Sequence, residues 1–120
     1  MDDDIVVSKM VSSMLEKAFG YDVIILKNGT EVLEYYKESQ RSNNPLTAMI
    51  FDLTIPGGMG GKETIEEIRK IDNRIPVFVS SGYSRDPVIS NPQEYGFTAS
   101  IIKPFRISEL SKLLDKYLKR

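Results

Sequence analysis

The stretch Met49-Ile50-Phe51-Asp52-Leu53-Thr54-Ile55-Pro56-Gly57-Gly58 decides the fold. An apolar run ends on one carboxylate, and a proline and glycines stop the chain directly after it. Ala48 to Phe51 therefore reads as a buried strand. Such a strand delivers Asp52 to the rim of a sheet, where open α/β folds keep their chemistry. Asp52 is the residue whose surroundings must be explained.

On the amino-terminal side, Val6, Val7, Met10, Val11, Met14, Leu15 and Ala18 recur at helical steps and stop near Gly20. Val23-Ile24-Ile25-Leu26, bounded by Asp22 and by Asn28-Gly29, has the length and composition of another buried strand. Helical spacing resumes from Thr30 to about Ser42 and fades into a polar loop through Pro45. On the carboxyl side, Lys62 to Ile71 reads as a helix with Ile65, Ile68 and Ile71 facing inward, and Pro76 to Val79 as a strand. Pro87 and Pro92 leave room only for a short or broken helix before Gly96. Ala99 to Ile102 is the last expected strand. Ser108 is the expected cap of a terminal helix carrying Leu110, Leu113, Leu114, Tyr117 and Leu118, with basic residues at its end. Short strands alternating with longer helices imply parallel pairing through right-handed crossovers. The expected class is α/β, a three-layer sandwich.

Composition narrows the chemistry. A chain of 120 residues fits one domain over 1–120, with no room for a second catalytic or DNA-binding domain. Sixteen Lys and Arg balance seventeen Asp and Glu, which gives no reason to expect nucleic acid or an anionic membrane as a direct partner. The chain contains no Cys and no His, which removes thiol nucleophiles, imidazole acid/base chemistry and thiolate or imidazole zinc sites. Carboxylates, hydroxyls and lysines remain. No apolar run approaches the roughly 20 residues of a membrane helix, and no charged-then-apolar leader precedes the first helix, so the cytoplasm is the expected location.

Polar groups recur at the expected carboxyl ends of strands: Asp52, the pair Ser80-Ser81, and Lys103. A fourth cluster, Asp2-Asp3-Asp4, stands directly before the first helix, where a preceding strand would have ended. Carboxylates a few ångström apart repel by roughly 3 kcal/mol per pair at an effective dielectric near 20. A hard divalent cation such as Mg²⁺ neutralises them through oxygen ligands alone. With a metal and the Lys103 ammonium absorbing charge, Asp52 is placed to attack a phosphoryl group, and Ser81 to hold one of its oxygens. Each residue also has a plainer reading. Asp52 is a possible turn cap, the acidic triplet a solvated run or helix cap, Ser81 a turn serine and Lys103 a surface lysine. The glycines after Pro56 lack the Lys-Ser/Thr of a phosphate-cradling loop and read as loop geometry.

Taken together, the acidic triplet, the strand-end Asp52 in Asp-Leu-Thr-Ile-Pro-Gly-Gly-Met-Gly-Gly, Ser81-Gly82 and Lys103-Pro104-Phe105 resemble a response-regulator receiver domain of two-component signalling. The likeness runs from Asp2 to the terminal helix and is strongest to receivers of hybrid sensor histidine kinases. It implies a flavodoxin-like parallel sheet of order 2-1-3-4-5, with its first strand absent from this sequence. A polypeptide that begins upstream of Met1 is the expected explanation, with strand exchange between chains or a permuted arrangement as lesser ones. The resemblance further implies Mg²⁺ at Asp2, Asp3, Asp52 and the Thr54 backbone carbonyl, with Asp3-Asp4 as the alternative register for the acidic pair. It makes Asp52 the phosphoacceptor, assisted by Ser81 and Lys103, and gives Thr54 and Tyr83 the positions that tune loss of the phosphoryl group.

The partner so implied is a histidine kinase or phosphotransfer domain, with other domains of the same larger polypeptide as further contacts. The activity is a switch that catalyses only its own phosphorylation and dephosphorylation, not an enzyme acting on metabolites. A pseudo-receiver used only for protein contacts is the alternative. One departure stands out: Ser100 occupies the place, three residues before the lysine, where the family commonly carries an aromatic. The usual relay from site to surface is therefore in question, and Tyr83 or Phe105 would have to substitute for it.

Overall fold

The structure is a computed structural model and describes residues 1–118. Its elements are α1 (Ile5–Phe19), α2 (Gly29–Arg41), β1 (Met49–Asp52), α3 (Gly61–Ile71), β2 (Val77–Ser81), α4 (Pro87–Ser90), a 3₁₀ turn (Pro92–Tyr95), β3 (Ala99–Ile102) and α5 (Ile107–Tyr117). The strands form one parallel sheet in the order β1-β2-β3. Met49 pairs with Val77 and Asp52 with Ser80; Phe78 pairs with Ala99 and Ser81 with Ile102. All three strands thus bring their polar carboxyl ends to the same edge.

Alternation along the strands sorts the helices into two layers, since successive side chains point to opposite faces. Phe51, Val77 and Val79 pack with Val32 and Tyr36 of α2, Ile65 and Ile68 of α3, and Val88 and Ile89 of α4. Phe78 and Ile101 face the other way, onto Leu15 of α1 and onto Leu110 and Leu114 of α5. The fold is an α/β sandwich, as the alternating pattern implied, and it is flavodoxin-like, as the resemblance implied.

The helix ends follow their local chemistry. Asp4 caps α1 by accepting from the Val6 and Val7 N–H groups, and Gly20 closes that helix with φ 75°. Asn28 caps α2 through the Glu31 N–H. The double-proline segment resolves into α4, capped by Asp86, and the separate 3₁₀ turn.

Three expectations are corrected. Ile71, expected to face inward with Ile65 and Ile68, is 55% exposed at the end of α3. Val23-Ile24-Ile25-Leu26 is not a strand of the sheet. The Leu26 carbonyl takes the Asp2 N–H at 3.0 Å, whereas the Met1 ammonium donates to Ile50 O at 2.6 Å and Asp52 N–H donates to Met1 O at 2.8 Å. Met1 and Asp2 therefore lie between that segment and β1, and two residues make too few rungs to draw residues 23–26 into a ladder. The three strands keep the expected sequential order, but the flanking part of the sheet is not formed. Nor is Ser108 the cap of α5: the cap position falls two residues earlier, on Arg106, whose N–H donates to the Glu109 carboxylate at 3.1 Å, and Ser108 is an exposed first-turn residue. Part of the expected basic helix end falls on residues 119 and 120, outside the described residues.

Candidate functional site

Asp52 is held by its strand on one side and by glycine geometry on the other. Beyond it the chain turns at Pro56-Gly57, where Gly57 takes φ 74° and the Gly58 N–H closes on Ile55 O at 3.1 Å. That is the arrangement of a turn with proline first and glycine second. The chain then returns so closely that a Cβ on Gly61 would lie 2.7 Å from Asp52 O, and one on Gly60 2.8 Å from Leu53 O. Residues without side chains let α3 start directly behind the acidic strand end.

Around Asp52 the charges converge as the sequence suggested. One carboxylate oxygen from each of Asp2, Asp3 and Asp52 lies within 4.8 Å of the other two. Lys103, carried in by the end of β3 and fixed by its N–H to Ser81 O at 2.9 Å, places Nζ 2.7 Å from Asp2 Oδ2 and 3.4 Å from Asp52 Oδ1. The Lys103-Pro104 peptide is cis. Asp3 is the exposed member of the trio. Asp4 takes no part, because its carboxylate is spent on the first turn of α1. Three identical residues are thus divided by geometry, Asp2 and Asp3 to the pocket and Asp4 to the helix.

Burial pushes the Asp52 carboxyl above the usual carboxylate range, and the Asp2 and Asp3 charges push the same way against the opposing pull of Lys103. Burial works to lower the Lys103 ammonium, but its hydrogen bond to Asp2 and the Asp52 charge outweigh that and raise it. Sequence reasoning missed one further charge. The Met1 ammonium is buried beside the pocket, and that burial pulls it down to about 6 despite Asp2 and Asp52. A chain terminus carries no side-chain signal that a motif search would find.

The hydroxyl residues are placed less tightly. Ser81 ends β2, is buried, and its Oγ accepts the Tyr83 N–H at 3.1 Å. Accepting that bond leaves its own proton to donate. Thr54 is exposed on the loop after β1, and Tyr83 stands 79% exposed, so it covers nothing in this conformation. Ser100 donates through Oγ to Ile89 O at 2.7 Å, and Phe105 is packed into the core beside Phe78 and Leu110. Where an aromatic relay was in question, the structure has a hydrogen bond from β3 to α4.

Hard oxygen donors clustered at the mouth of a sheet, with cations balancing them, fit a small divalent ion. Fold and pocket together define an α/β domain with an acidic site at its strand ends. The chain belongs to the response regulator receiver domain family, whose model matches residues 1–115. Over 120 residues it is 31% identical to the chemotaxis protein CheY of Thermotoga maritima, covering 99% of this chain and 94% of that one. It is 26% identical over 118 residues to sporulation initiation phosphotransferase F of Bacillus subtilis, covering 98% and 90%. Among solved structures, it superposes on the receiver domain of a Pseudomonas aeruginosa sensor histidine kinase, which has magnesium in its active-site cleft, with TM-score 0.83 at 20% identity, covering 100% and 94%. A response regulator from Chloroflexus aurantiacus gives 0.85 at 26% identity over the same shares.

Proposed function

We propose that this receiver domain accepts a phosphoryl group on Asp52 from the phosphohistidine of a histidine kinase or phosphotransfer domain. The observation that carries this is the Asp52 carboxylate, held at a strand end between the Lys103 ammonium and the carboxylates of Asp2 and Asp3. An Asp52 oxygen attacks phosphorus; the new P–O bond forms as the P–N bond breaks, and the electron pair leaves with the donor's imidazole. Lys103 turns from Asp2 toward the transferred oxygens and offsets the charge that reaches the pocket. Ser81 donates its free proton to another of those oxygens. Asp2, Asp3, Asp52 and the Thr54 carbonyl would hold Mg²⁺, which would supply charge neutralisation for the phosphoryl oxygens.

The domain acts on itself rather than on metabolites. Burial and like charge destabilise the ionised Asp52, so modification that ties up this group alters the balance holding the pocket and its loops. The loops after Asp52 and Ser81, with the Pro87 to Gly96 segment, carry the response. Tyr83 slows hydrolysis by folding from solvent over the phosphoryl group. No helix among the described residues is long and apolar enough to cross a membrane, and we place the domain in the cytoplasm. The likeness at residues 52–61 points to a hybrid sensor kinase as the larger setting.

The test is incubation with Mg²⁺ and acetyl phosphate followed by intact mass, beside Asp52→Asn. A phosphate-sized gain that the variant loses supports the reading. No gain despite bound Mg²⁺ favours an interaction module without phosphoacceptor activity.

A further inference from the structure

The loop after Asp52 is held from a side that contributes no charge to the pocket. Gly29 is the first residue of α2 and is buried. The first N–H groups of a helix have no partner within it, and Asn28 Oδ1 takes the one on Glu31 at 3.1 Å. The Gly29 N–H leaves its own helix and donates to Met59 O, on the acceptor loop, at 2.7 Å.

Only glycine permits that approach. A Cβ on Gly29 would collide with Thr64 Oγ1 and lie 2.7 Å from Met59 Cγ. Thr64 is fully buried in the first turn of α3, and its hydroxyl is fixed on Gly60 O at 2.6 Å. The N-termini of α2 and α3 thus close on the loop like a clasp.

From Met59 the hold reaches the pocket through one residue. Gly60 donates its N–H to the Glu63 carboxylate at 2.7 Å. A Cβ on Gly60 would lie 3.1 Å from Ile55 N and 3.4 Å from Thr54 Cα, so the returning limb of the loop rests on the backbone of the outgoing limb. The Gly61 N–H closes on Leu53 O at 3.0 Å. The backbone pinned in this way runs from Leu53 to Ile55 and includes the Thr54 carbonyl of the proposed metal set.

We propose that Gly29 is a positioning residue for the site: its N–H, through Met59 O, holds the returning limb against Thr54 and keeps that carbonyl in place for a divalent cation. The proposal rests on the metal-assisted reading given above. Coupling between two equilibria is reciprocal. Whatever the clasp adds to cation affinity, the cation returns to the clasp, and the first turn of α2 registers occupancy of a pocket to which it gives no ligand.

A glycine needed for packing alone would also yield a destabilised alanine variant, so the deciding readouts are Mg²⁺ affinity by calorimetry and Gly29 amide exchange by NMR. Gly29→Ala is expected to bind Mg²⁺ about tenfold more weakly, the usual scale for losing a group that orients a metal ligand. Adding Thr64→Ala removes the collision and keeps the N–H, and is expected to restore affinity to that of Thr64→Ala alone. In the parent chain, saturating Mg²⁺ is expected to slow Gly29 exchange by about the same tenfold. Unchanged Gly29 exchange, or Gly29→Ala binding Mg²⁺ as the parent does, overturns the proposal and leaves the reading of the site intact. A parent that binds no Mg²⁺ overturns that reading and the proposal with it. If Gly29→Ala does not fold, the exchange measurement on the parent decides alone.

Discussion

Asp52→Asn is expected to stabilise the metal-free protein while abolishing its proposed activity. Asp2, Asp3 and Asp52 bring carboxylate oxygens within 4.8 Å, which at an effective dielectric near 20 is about 3.5 kcal/mol of repulsion for each ionised pair. Asp52 therefore faces about 7 kcal/mol from two neighbours. Lys103 at 3.4 Å returns about 5 kcal/mol on the same scale. The balance of about 2 kcal/mol opposes the ionised group before its burial is counted, and salt screening at this partly open site reduces the net to about 1 to 2 kcal/mol.

Linkage gives the sign with pH. Burial first, then Asp2 and Asp3, raise the folded carboxyl above its ordinary 3.8, so the folded state holds this proton more tightly than the unfolded chain. Stability contributed by this group therefore rises as pH falls through the folded pKa toward 3.8 and is lost as pH rises. Urea unfolding in EDTA should show Asp52→Asn more stable by about 1 to 2 kcal/mol at pH 7. The gap should close on acidification, and also in millimolar Mg²⁺, which selects the native carboxylate set. A variant less stable than the parent at pH 7, or a gap that pH does not change, would refute the electrostatic account.

Three further outcomes follow from distances elsewhere. Gly61→Ala forces a Cβ to within 2.7 Å of Asp52 O; urea unfolding should show a loss of about 1 to 2 kcal/mol, and acetyl phosphate labelling should slow, because the strand end is displaced. Ser100→Ala removes the bond to Ile89 O and should cost about 1 kcal/mol, with amide exchange in residues 87–96 rising several-fold; unchanged exchange there would show that this bond does not couple β3 to α4. Tyr83→Ala should hasten decay of the phosphorylated form at least about threefold if the ring folds over the phosphoryl group, and an unchanged decay rate would remove Tyr83 from any shielding role.

Much of this was legible because it rests on local chemistry. A strand running into Asp52-Leu-Thr-Ile-Pro-Gly can end in few ways, and Lys103-Pro104 after an apolar run brings its cation to the same edge. What escaped depended on partners distant in the chain. Val23 to Leu26 has a strand's composition, yet pairing is a property of two segments, and among the described residues its backbone bond is the one from the Asp2 N–H to Leu26 O. Asp2, Asp3 and Asp4 are chemically equivalent in sequence; the first turn of α1 claims Asp4 and thereby sets the register of the other two. Ser108 has the better cap chemistry, but the Glu109 carboxylate reaches back to Arg106 and starts α5 earlier. Ser100 looked like the loss of a relay, and only its distance to Ile89 O shows what stands in that place.

The central claim is that Asp52 is the phosphoacceptor, and its most direct test locates the modification. Protein treated with acetyl phosphate and Mg²⁺ is reduced with borohydride, which converts an aspartyl phosphate to homoserine, and its peptides are then mapped by mass. The account predicts homoserine at position 52 alone, dependent on Mg²⁺. Homoserine at Asp2, Asp3 or Asp4, or none anywhere under conditions that label a known receiver, would contradict it.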